Sequence, residues 1–290
     1  MKAFFFKKQW ILWFSALGLP GLGIALFYLL RNTRTLMNEW VTGVIAPWEQ
    51  FWGRIWAVFP FSVGESVIAL LITAVIIWII RALALLIRQH RGRDFLRRMG
   101  AVLSVFMWVW CLLCWLWNVS YYADSFAEKS GLVSYGHTPE ALFYTTVWFA
   151  QNAAELSDQI PRDESGHFAL SPEECFDRGV DIYDNLTAEF PFLQIPSVRT
   201  KPLLFSRLQS ILGFTGVYLP FTGEANVNID APACLIPATI GHEMAHQRMV
   251  AAEQEANFVG IAACLSCEDV VFQYSGYLQG LVHLSNALYK

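Results

Sequence analysis

The most apolar stretches of the chain lie in its first half and have the length of membrane spans. From Gln9 to Leu30 no charged residue occurs, and at about 1.5 Å per residue this run covers the roughly 30 Å hydrocarbon core of a bilayer. A second run, Ser66–Ile80, extends past Arg81 if that side chain reaches the interface, and a third, Met99–Tyr122, is rich in tryptophan. The pattern therefore predicts three transmembrane helices.

Basic residues predict the orientation of these spans. Lysines precede the first span, and five arginines crowd the short link between the second and the third: Arg88, Arg91, Arg93, Arg97 and Arg98. Because short cytoplasmic segments are enriched in Lys and Arg, both regions are expected on the cytoplasmic side. Everything after Tyr122 is then extracytoplasmic. The aromatic stretch Asn38–Phe61, with scattered charges, is typical of an interfacial helix and a re-entry loop.

Composition supports a membrane protein with an acidic outer domain. Of the 290 residues, 55% are hydrophobic and only 15% are charged, which is unusual for a soluble enzyme. Residues 123–290 contain 8 Lys and Arg against 20 Asp and Glu, a formal charge of −12. No basic stripe for nucleic acid is present in that part. We predict a membrane domain over 1–122 and an extracytoplasmic domain over 123–290, with the lipid bilayer as a partner.

The sequence of residues 123–290 predicts an α+β fold that is mostly helical, with a small sheet. Thr138 and Pro139 have the pattern of a helix start, and a second helix is predicted from Pro172 to about Phe190 with Ser171 as its N-cap. Alternating small, β-branched and aromatic residues predict short strands over Gly213–Asp230. Further helices are expected from Pro237 onward and from about Asp269 to Tyr289.

The helix predicted from Pro237 carries an HExxH pattern, His242-Glu243-Met244-Ala245-His246. Histidines four residues apart share one helix face, so both imidazoles can bind one zinc ion. Glu243 lies about 100° round the helix and can act as a general base on water without taking a coordination position. The alternative is a pair of hydrogen-bonded or solvated histidines on an ordinary helix. The pattern favours a zinc hydrolase.

A catalytic zinc ion usually has three protein ligands, and the third is not fixed by the spacing. On a straight helix Glu253 would lie about 10.5 Å along the axis from His246, so the helix must bend or stop after Arg248 for Glu253 to bind. Asn257, one turn later, could then support a histidine ligand. Glu255 is the other nearby candidate. If the helix is straight, both acids are solvated and the ligand comes from farther along the chain, with Glu224, Glu268 and His283 as candidates.

Two further roles follow from the same region. Oxyanion stabilisation could come from Tyr274, Tyr277, His283 or Arg248. The segment Gly223–Ile229 could be an edge strand that pairs with an extended substrate, or else part of a plain core hairpin. The CxxC pair Cys264 and Cys267 is compatible with a disulfide in an extracytoplasmic domain, whereas Cys111 and Cys114 are expected to pack inside the third span.

The run from Gly216 to Gly260, followed by the Tyr274–Tyr289 segment, resembles a bacterial membrane-protein family, domain of unknown function 3810. That family is similar to zincin metallopeptidases, with amino-terminal transmembrane helices and an HExxH site followed by an acidic "ExEAN" element. The resemblance implies Glu253 as a zinc ligand and Asn257 as the residue that supports a histidine ligand. Members commonly carry glycine at the position of Met249 and continue beyond the last tyrosine-rich helix, whereas this sequence ends at Lys290.

These observations together predict a zinc metallopeptidase anchored in the bacterial cytoplasmic membrane, with Zn²⁺ as cofactor and a peptide or protein as substrate. Its outer domain would have a zincin-like fold. The competing hypothesis is a membrane sensor or scaffold that keeps this fold without catalytic activity and recruits a partner through its acidic surface.

Overall fold

The computed structural model describes residues 14–89, 91–133 and 135–289. These residues are mostly helical and include one small sheet. The α-helices, in chain order, are α1 (Leu19–Leu30), α2 (Arg34–Trp40), α3 (Ala46–Trp56), α4 (Val63–Gln89), α5 (Gly92–Leu116), α6 (Phe126–Ser130), α7 (Pro139–Ser157), α8 (Pro172–Arg178), α9 (Asp184–Glu189), α10 (Ser206–Leu212), α11 (Ile236–Gln247), α12 (Glu253–Ser266) and α13 (Val270–Leu288). The strands are β1 (Lys201–Pro202), β2 (Gly216–Leu219) and β3 (Glu224–Val227).

The chain packs as two compact units. The first contains the described residues of Met1–Ile45 and Glu65–Ala123, and the second those of Ala46–Gly64 and Asp124–Lys290. Residues 46–64 thus pack with the carboxy-terminal part, although all but Val63 and Gly64, the first residues of α4, precede both long apolar helices. The sequence-based domains, 1–122 and 123–290, differ from the packing units chiefly in this segment.

In the first unit, two helices, α4 and α5, are long and apolar enough to cross a membrane. Three spans were expected. Residues 9–13 of the first expected span, Gln9–Leu30, lie outside the described residues. Its remainder forms a shorter apolar helix, Phe14–Leu30, which at about 1.5 Å per residue is only about 25 Å long. The structure therefore supports two candidate spans rather than three, and their topology stays a prediction.

Side-chain hydrogen bonds join the apolar helix Phe14–Leu30 to α5 within the first unit. The Trp115 indole donates to the Gly23 carbonyl over 2.9 Å, and the Ser104 hydroxyl donates to the Ala16 carbonyl over 2.7 Å. A Cβ at Gly23 would lie 2.6 Å from the Cys111 sulfur, so glycine is needed for this close approach. Cys111 and Cys114 are buried, which confirms their expected role in packing.

The second unit is built around a buried cluster to which α8, α11, α12 and α13 contribute. Its largest members include Phe176, Tyr183, Ile240, Met244 and Phe272. The expected N-caps are confirmed: the Thr138 hydroxyl accepts from Ala141 N–H, and Ser171 forms a capping box with Glu174. The predicted helix Pro172–Phe190 is wrong in one respect, because it is divided into α8 and α9.

The sheet has the order β1-β3-β2, with β1 parallel and β2 antiparallel to β3. Of the two alternatives for Gly223–Ile229, an edge strand and part of a core hairpin, this order supports the second, because β3 is the central strand and pairs with β2. The edge strand that lies against α11 is β2. The amino-acid pattern alone did not show whether β2 or β3 is the edge strand.

The segment Ala46–Gly64 is held to the sheet by a buried ion pair. Lys201 and Glu224 lie 2.6 Å apart and are both almost fully buried. The Glu224 carboxylate also accepts from the N–H groups of Val63 and Gly64, at 3.1 and 2.7 Å, and Lys201 donates to the Trp56 carbonyl. Because each charge has several partners, the cost of burying the pair is offset.

Candidate metal centre

The site lies where α11 ends and α12 begins. His242 and His246 occupy one face of α11, with ring centroids 4.8 Å apart. The helix ends at Gln247, and Met249 has a φ of 63°, the only positive φ of a non-glycine residue in the described part of the chain. A left-handed residue just after the last turn is a common way to end a helix. The chain therefore turns back and starts α12 at Glu253.

This turn brings Glu253 to both histidines. Its carboxylate oxygens lie 3.3 Å from Nε2 of His242 and 3.6 Å from Nε2 of His246. One candidate ligand atom from each of these three residues lies within 4.8 Å of the other two. Two imidazole nitrogens and one carboxylate oxygen are a donor set that suits zinc. The arrangement can hold a divalent ion, although whether one binds stays a prediction.

A backbone contact at Nδ1, the ring nitrogen that does not face Glu253, fixes the orientation of His246. Its Nδ1 lies 2.8 Å from the Val250 carbonyl oxygen, which accepts only if Nδ1 carries the proton. That contact leaves Nε2 for a metal ion, as backbone carbonyls commonly do for histidine ligands. Sequence reasoning did not identify Val250, since any residue can supply a carbonyl.

The pKa values of Glu253 and His246 are shifted by their neighbours in the cluster. Hydrogen bonds from His242 and then His246 hold the pKa of the Glu253 carboxyl well below its usual value. Burial by itself would lower the pKa of His246, but the hydrogen bond to Glu253 and the nearby Glu243 raise it overall. The side chain of Glu253 is 63% exposed and that of His246 only 5%. The site is therefore open on the Glu253 side, where a water or a substrate could enter.

Glu243 lies beside this cluster and is buried against β2. It is 3% exposed, and its Oε2 has no hydrogen-bond partner among the described residues. A Cβ at Gly216 would lie 2.3 Å from its Oε1, so only glycine leaves room for the carboxyl. Burial raises the pKa of Glu243 to about 7, opposed in part by His242 and His246. Such a carboxyl is suited to exchange protons near neutral pH.

Two glycines allow α11 and α12 to approach closely at the site. A Cβ at Gly241 would lie 2.8 Å from the Gly260 carbonyl oxygen, and a Cβ at Gly260 would lie 2.6 Å from the backbone nitrogen of His242. Both obstacles are backbone atoms, which cannot turn aside as a side chain can. The helix contact therefore determines the separation between His242 and Glu253.

We expect Gly260→Ala to destabilise the protein by about 1–3 kcal/mol, the usual cost of overpacking, and to weaken zinc binding because the helices must separate. Thermal unfolding and zinc titration of the full chain in detergent measure both effects. Gly136→Ala is the control, because a Cβ at Gly136 meets nothing within 4 Å. A Gly260→Ala variant that unfolds and binds zinc like the unmodified protein would contradict the close-packing argument.

The structure does not bring the other expected acids to the histidines. Glu255 accepts from the N–H groups of Phe126 and Ala127, at 2.8 and 3.1 Å, and so caps α6. Glu224 is committed to Lys201. Asn257 makes no hydrogen bond to either histidine within the described residues, and Nδ1 of His242 is buried there without a partner. The supporting role expected of Asn257 is therefore not seen in this geometry.

The residues considered for oxyanion stabilisation have mostly structural contacts. Tyr277 packs its ring against Trp148 and Phe149. Arg248 is buried, donates to the Met244 carbonyl over 3.0 Å and stacks on the ring of Tyr183 at 3.8 Å. These contacts stabilise the end of α11.

Two candidates remain near the surface of α13. His283 lies within hydrogen-bond distance of Gln279, at 3.0 Å, and burial followed by the charge of His242 lowers its pKa. Tyr274 is partly buried on the same helix. Neither belongs to the three-residue cluster.

The structure adds one pair that the sequence analysis missed. The Tyr218 ring lies 6.3 Å from the His246 ring, and its hydroxyl donates to the buried Glu49 carboxyl over 2.5 Å. Burial raises the pKa of Glu49, with the Tyr218 hydrogen bond acting in the opposite direction. No local signal in the sequence could have paired residues 169 positions apart, and α3 was expected at the membrane interface.

The CxxC cysteines form no disulfide. Cys264 and Cys267 are buried free thiols, and the Cys267 thiol donates to the Cys264 carbonyl over 3.2 Å. Burial raises the pKa of both thiols. They pack α12 against its neighbours.

Comparison with known proteins identifies one family. The sequence model of the family described as "Protein of unknown function (DUF3810)" matches residues 40–290. No curated protein and no solved structure matches the chain. The match covers α3 and everything after it, including the three residues of the candidate metal centre.

Proposed function

Since the chain belongs to the DUF3810 family of proteins of unknown function, we propose its activity from the geometry of its own site: it is a membrane-anchored zinc metallopeptidase. The observation that supports this most is the convergence of His242, His246 and Glu253 within 4.8 Å of one another. The buried carboxyl of Glu243 lies beside them. This combination provides a metal site and a base in one place.

The three clustered residues would hold the ion, and Glu243 would handle the proton. Bound zinc supplies Lewis acidity and lowers the pKa of water in its coordination sphere. Glu243 accepts the proton of the attacking water and delivers it to the leaving amine. Its burial makes it basic enough for the first transfer and acidic enough for the second. The carbonyl of Val250 keeps His246 in the orientation that the site requires.

Peptide is the substrate class that fits the strand beside the site. β2 is an outer strand of the described sheet, and its Gly216 lies against Glu243. An extended peptide that pairs with β2 by strand addition would carry its backbone past the base. The substrate strand is thus assigned to the edge of β2 and not to the central β3.

The proposed location is the bacterial cytoplasmic membrane. We assign α4 and α5 as spans. The arginines near the end of α4 and the start of α5 favour a cytoplasmic location for that link. The acidic residues after Tyr122, and with them the metal centre, would then be extracytoplasmic.

Metal analysis tests the proposal. Full-length protein purified in detergent is expected to contain about one zinc ion per chain and to cleave an unstructured protein such as casein. A chelator should abolish cleavage, and added zinc should restore it. Absence of zinc from protein exposed to it would refute the metal site. Zinc without cleavage of any peptide tested would leave the sensor or scaffold hypothesis.

A further inference from the structure

Helix α10, between β1 and β2, exposes its apolar face and packs its polar face against the rest of the protein. Leu208, Ile211 and Leu212 lie at helical spacing on one face and are 52%, 78% and 59% exposed. Phe214, just after the helix, is 52% exposed. We call these four side chains the apolar surface. An amphipathic helix normally turns this face inward.

The polar face of α10 is the one that holds the helix to the protein. The Ser206 hydroxyl donates to the Leu203 carbonyl over 2.8 Å and accepts from Ile229 N–H over 3.2 Å. The Asn228 side chain donates to the Ser210 hydroxyl and to the Phe214 carbonyl, at 2.9 and 2.8 Å. These hydrogen bonds therefore hold α10 with its apolar surface facing outward. An exposed apolar patch of this kind usually marks a binding surface.

The position of the apolar surface relates it to the site. Phe214 is two residues before Gly216, which lies against Glu243. Two extended residues span at most about 7 Å. A peptide paired with β2 at Gly216 would therefore continue directly past Phe214 and onto α10.

Charge decides between a peptide and an anionic bilayer as occupant. Residues 123–290 carry a formal charge of −12, which repels anionic lipid head groups. Arg207 is the only basic residue within α10. We propose that the apolar surface binds an apolar segment of the polypeptide substrate and gives the site its preference for such sequences; this inference rests on the proposed peptidase function.

Peptide binding to the inactive full-length chain tests the inference without requiring cleavage. The protein carries Glu243→Gln, and the probe is a fluorescein-labelled peptide of alternating leucine and alanine between terminal lysines. A second probe has serine in place of each leucine. We expect the leucine probe to bind at least about tenfold more tightly, because burying leucine side chains against an apolar surface is favourable and burying serine is not. Fluorescence anisotropy measures both affinities.

The variant Leu208→Ser with Ile211→Ser should lose most of this difference between the probes. Leu132→Ser with Val133→Ser is the matched control, because those two residues are exposed to a similar degree, 48% and 66%. Its affinities should stay within about twofold of the parent's, since an exposed surface substitution away from the binding surface has little effect. Equal loss in both variants, or no loss in the α10 variant, would overturn the inference.

Two further results separate this inference from the proposed function. Cleavage by the active chain without any preference for apolar sequences would overturn the inference and leave the peptidase intact. Selective binding that depends on α10, in a chain that cleaves nothing, would support the apolar surface and remove the peptidase. Quenching of a fluorophore at position 211 by brominated lipid in proteoliposomes would identify the bilayer as the occupant and overturn the peptide assignment.

Discussion

Replacing Glu243 by glutamine is expected to lower the rate of peptide hydrolysis by a factor of about 10²–10⁴, the usual contribution of a general base, while zinc stays bound. Glutamine has nearly the same shape and fits the same space against Gly216, but it cannot accept the proton of the attacking water. The metal ligands are unchanged. Initial cleavage rates and zinc content of the same preparation measure the two effects.

Glu268→Gln is the matched control for the loss of a carboxylate. Glu268 is exposed and does not belong to the three-residue cluster, so this change should leave cleavage intact. Unchanged cleavage by Glu243→Gln would remove Glu243 as the base. Loss of zinc together with cleavage would show instead that Glu243 is needed to form the metal site.

Replacing Glu253 by alanine is expected to reduce zinc affinity by more than about 100-fold, because loss of a residue behind the ligands alone costs 10–100-fold. The change removes the only acidic member of the cluster. Cleavage at limiting zinc should fall in parallel. Competition with a fluorescent zinc chelator measures the affinity.

Gln254→Ala is the neighbouring control, since Gln254 is exposed in the same first turn of α12. It should bind zinc like the unmodified protein. If Glu253→Ala keeps its zinc affinity, the third ligand must be another residue, and the cluster seen here is only a pair of histidines hydrogen-bonded to an acid.

The pair of histidines was predictable from the sequence, because helical spacing alone places His242 and His246 on one face. Glu253 was not predictable in the same way. Its approach depends on Met249, whose side chain type gives no sign of the left-handed conformation that ends α11. The resemblance to a family with glycine at that position was the only local signal. Glu253 lies beside the histidines because the backbone turns at Met249, so its position depends on the φ of that residue.

Contacts distant in sequence account for most of what sequence reasoning missed. The pairing of Tyr218 with Glu49 and of Glu224 with Val63 and Gly64 joins α3 and the residues after it to the sheet. The amino-acid pattern of α3 is equally compatible with a membrane interface and with a protein surface. Periodicity shows which face of a helix is apolar, but it does not show what covers that face.

The sequence did not predict the strand order or the end of α8, for related reasons. The alternating pattern correctly placed short strands between Gly213 and Asp230. It did not indicate the central strand, because the central β3 carries the polar residues Glu224 and Asn226 whereas the outer β2 is mostly apolar. The break between α8 and α9 begins at Gly179, where a Cβ would lie 2.9 Å from Ile240 on the site helix. Gly179 lets the end of α8 lie close to α11, a contact that only the folded chain shows.

X-ray absorption at the zinc edge, recorded on full-length protein loaded with zinc, tests the central claim most directly. The account predicts a site with two imidazole ligands and oxygen in the remaining positions, no sulfur, and loss of one imidazole in His246→Ala. A spectrum dominated by sulfur, or one that lacks imidazole and is unchanged in His246→Ala, would show that His242, His246 and Glu253 do not hold the metal.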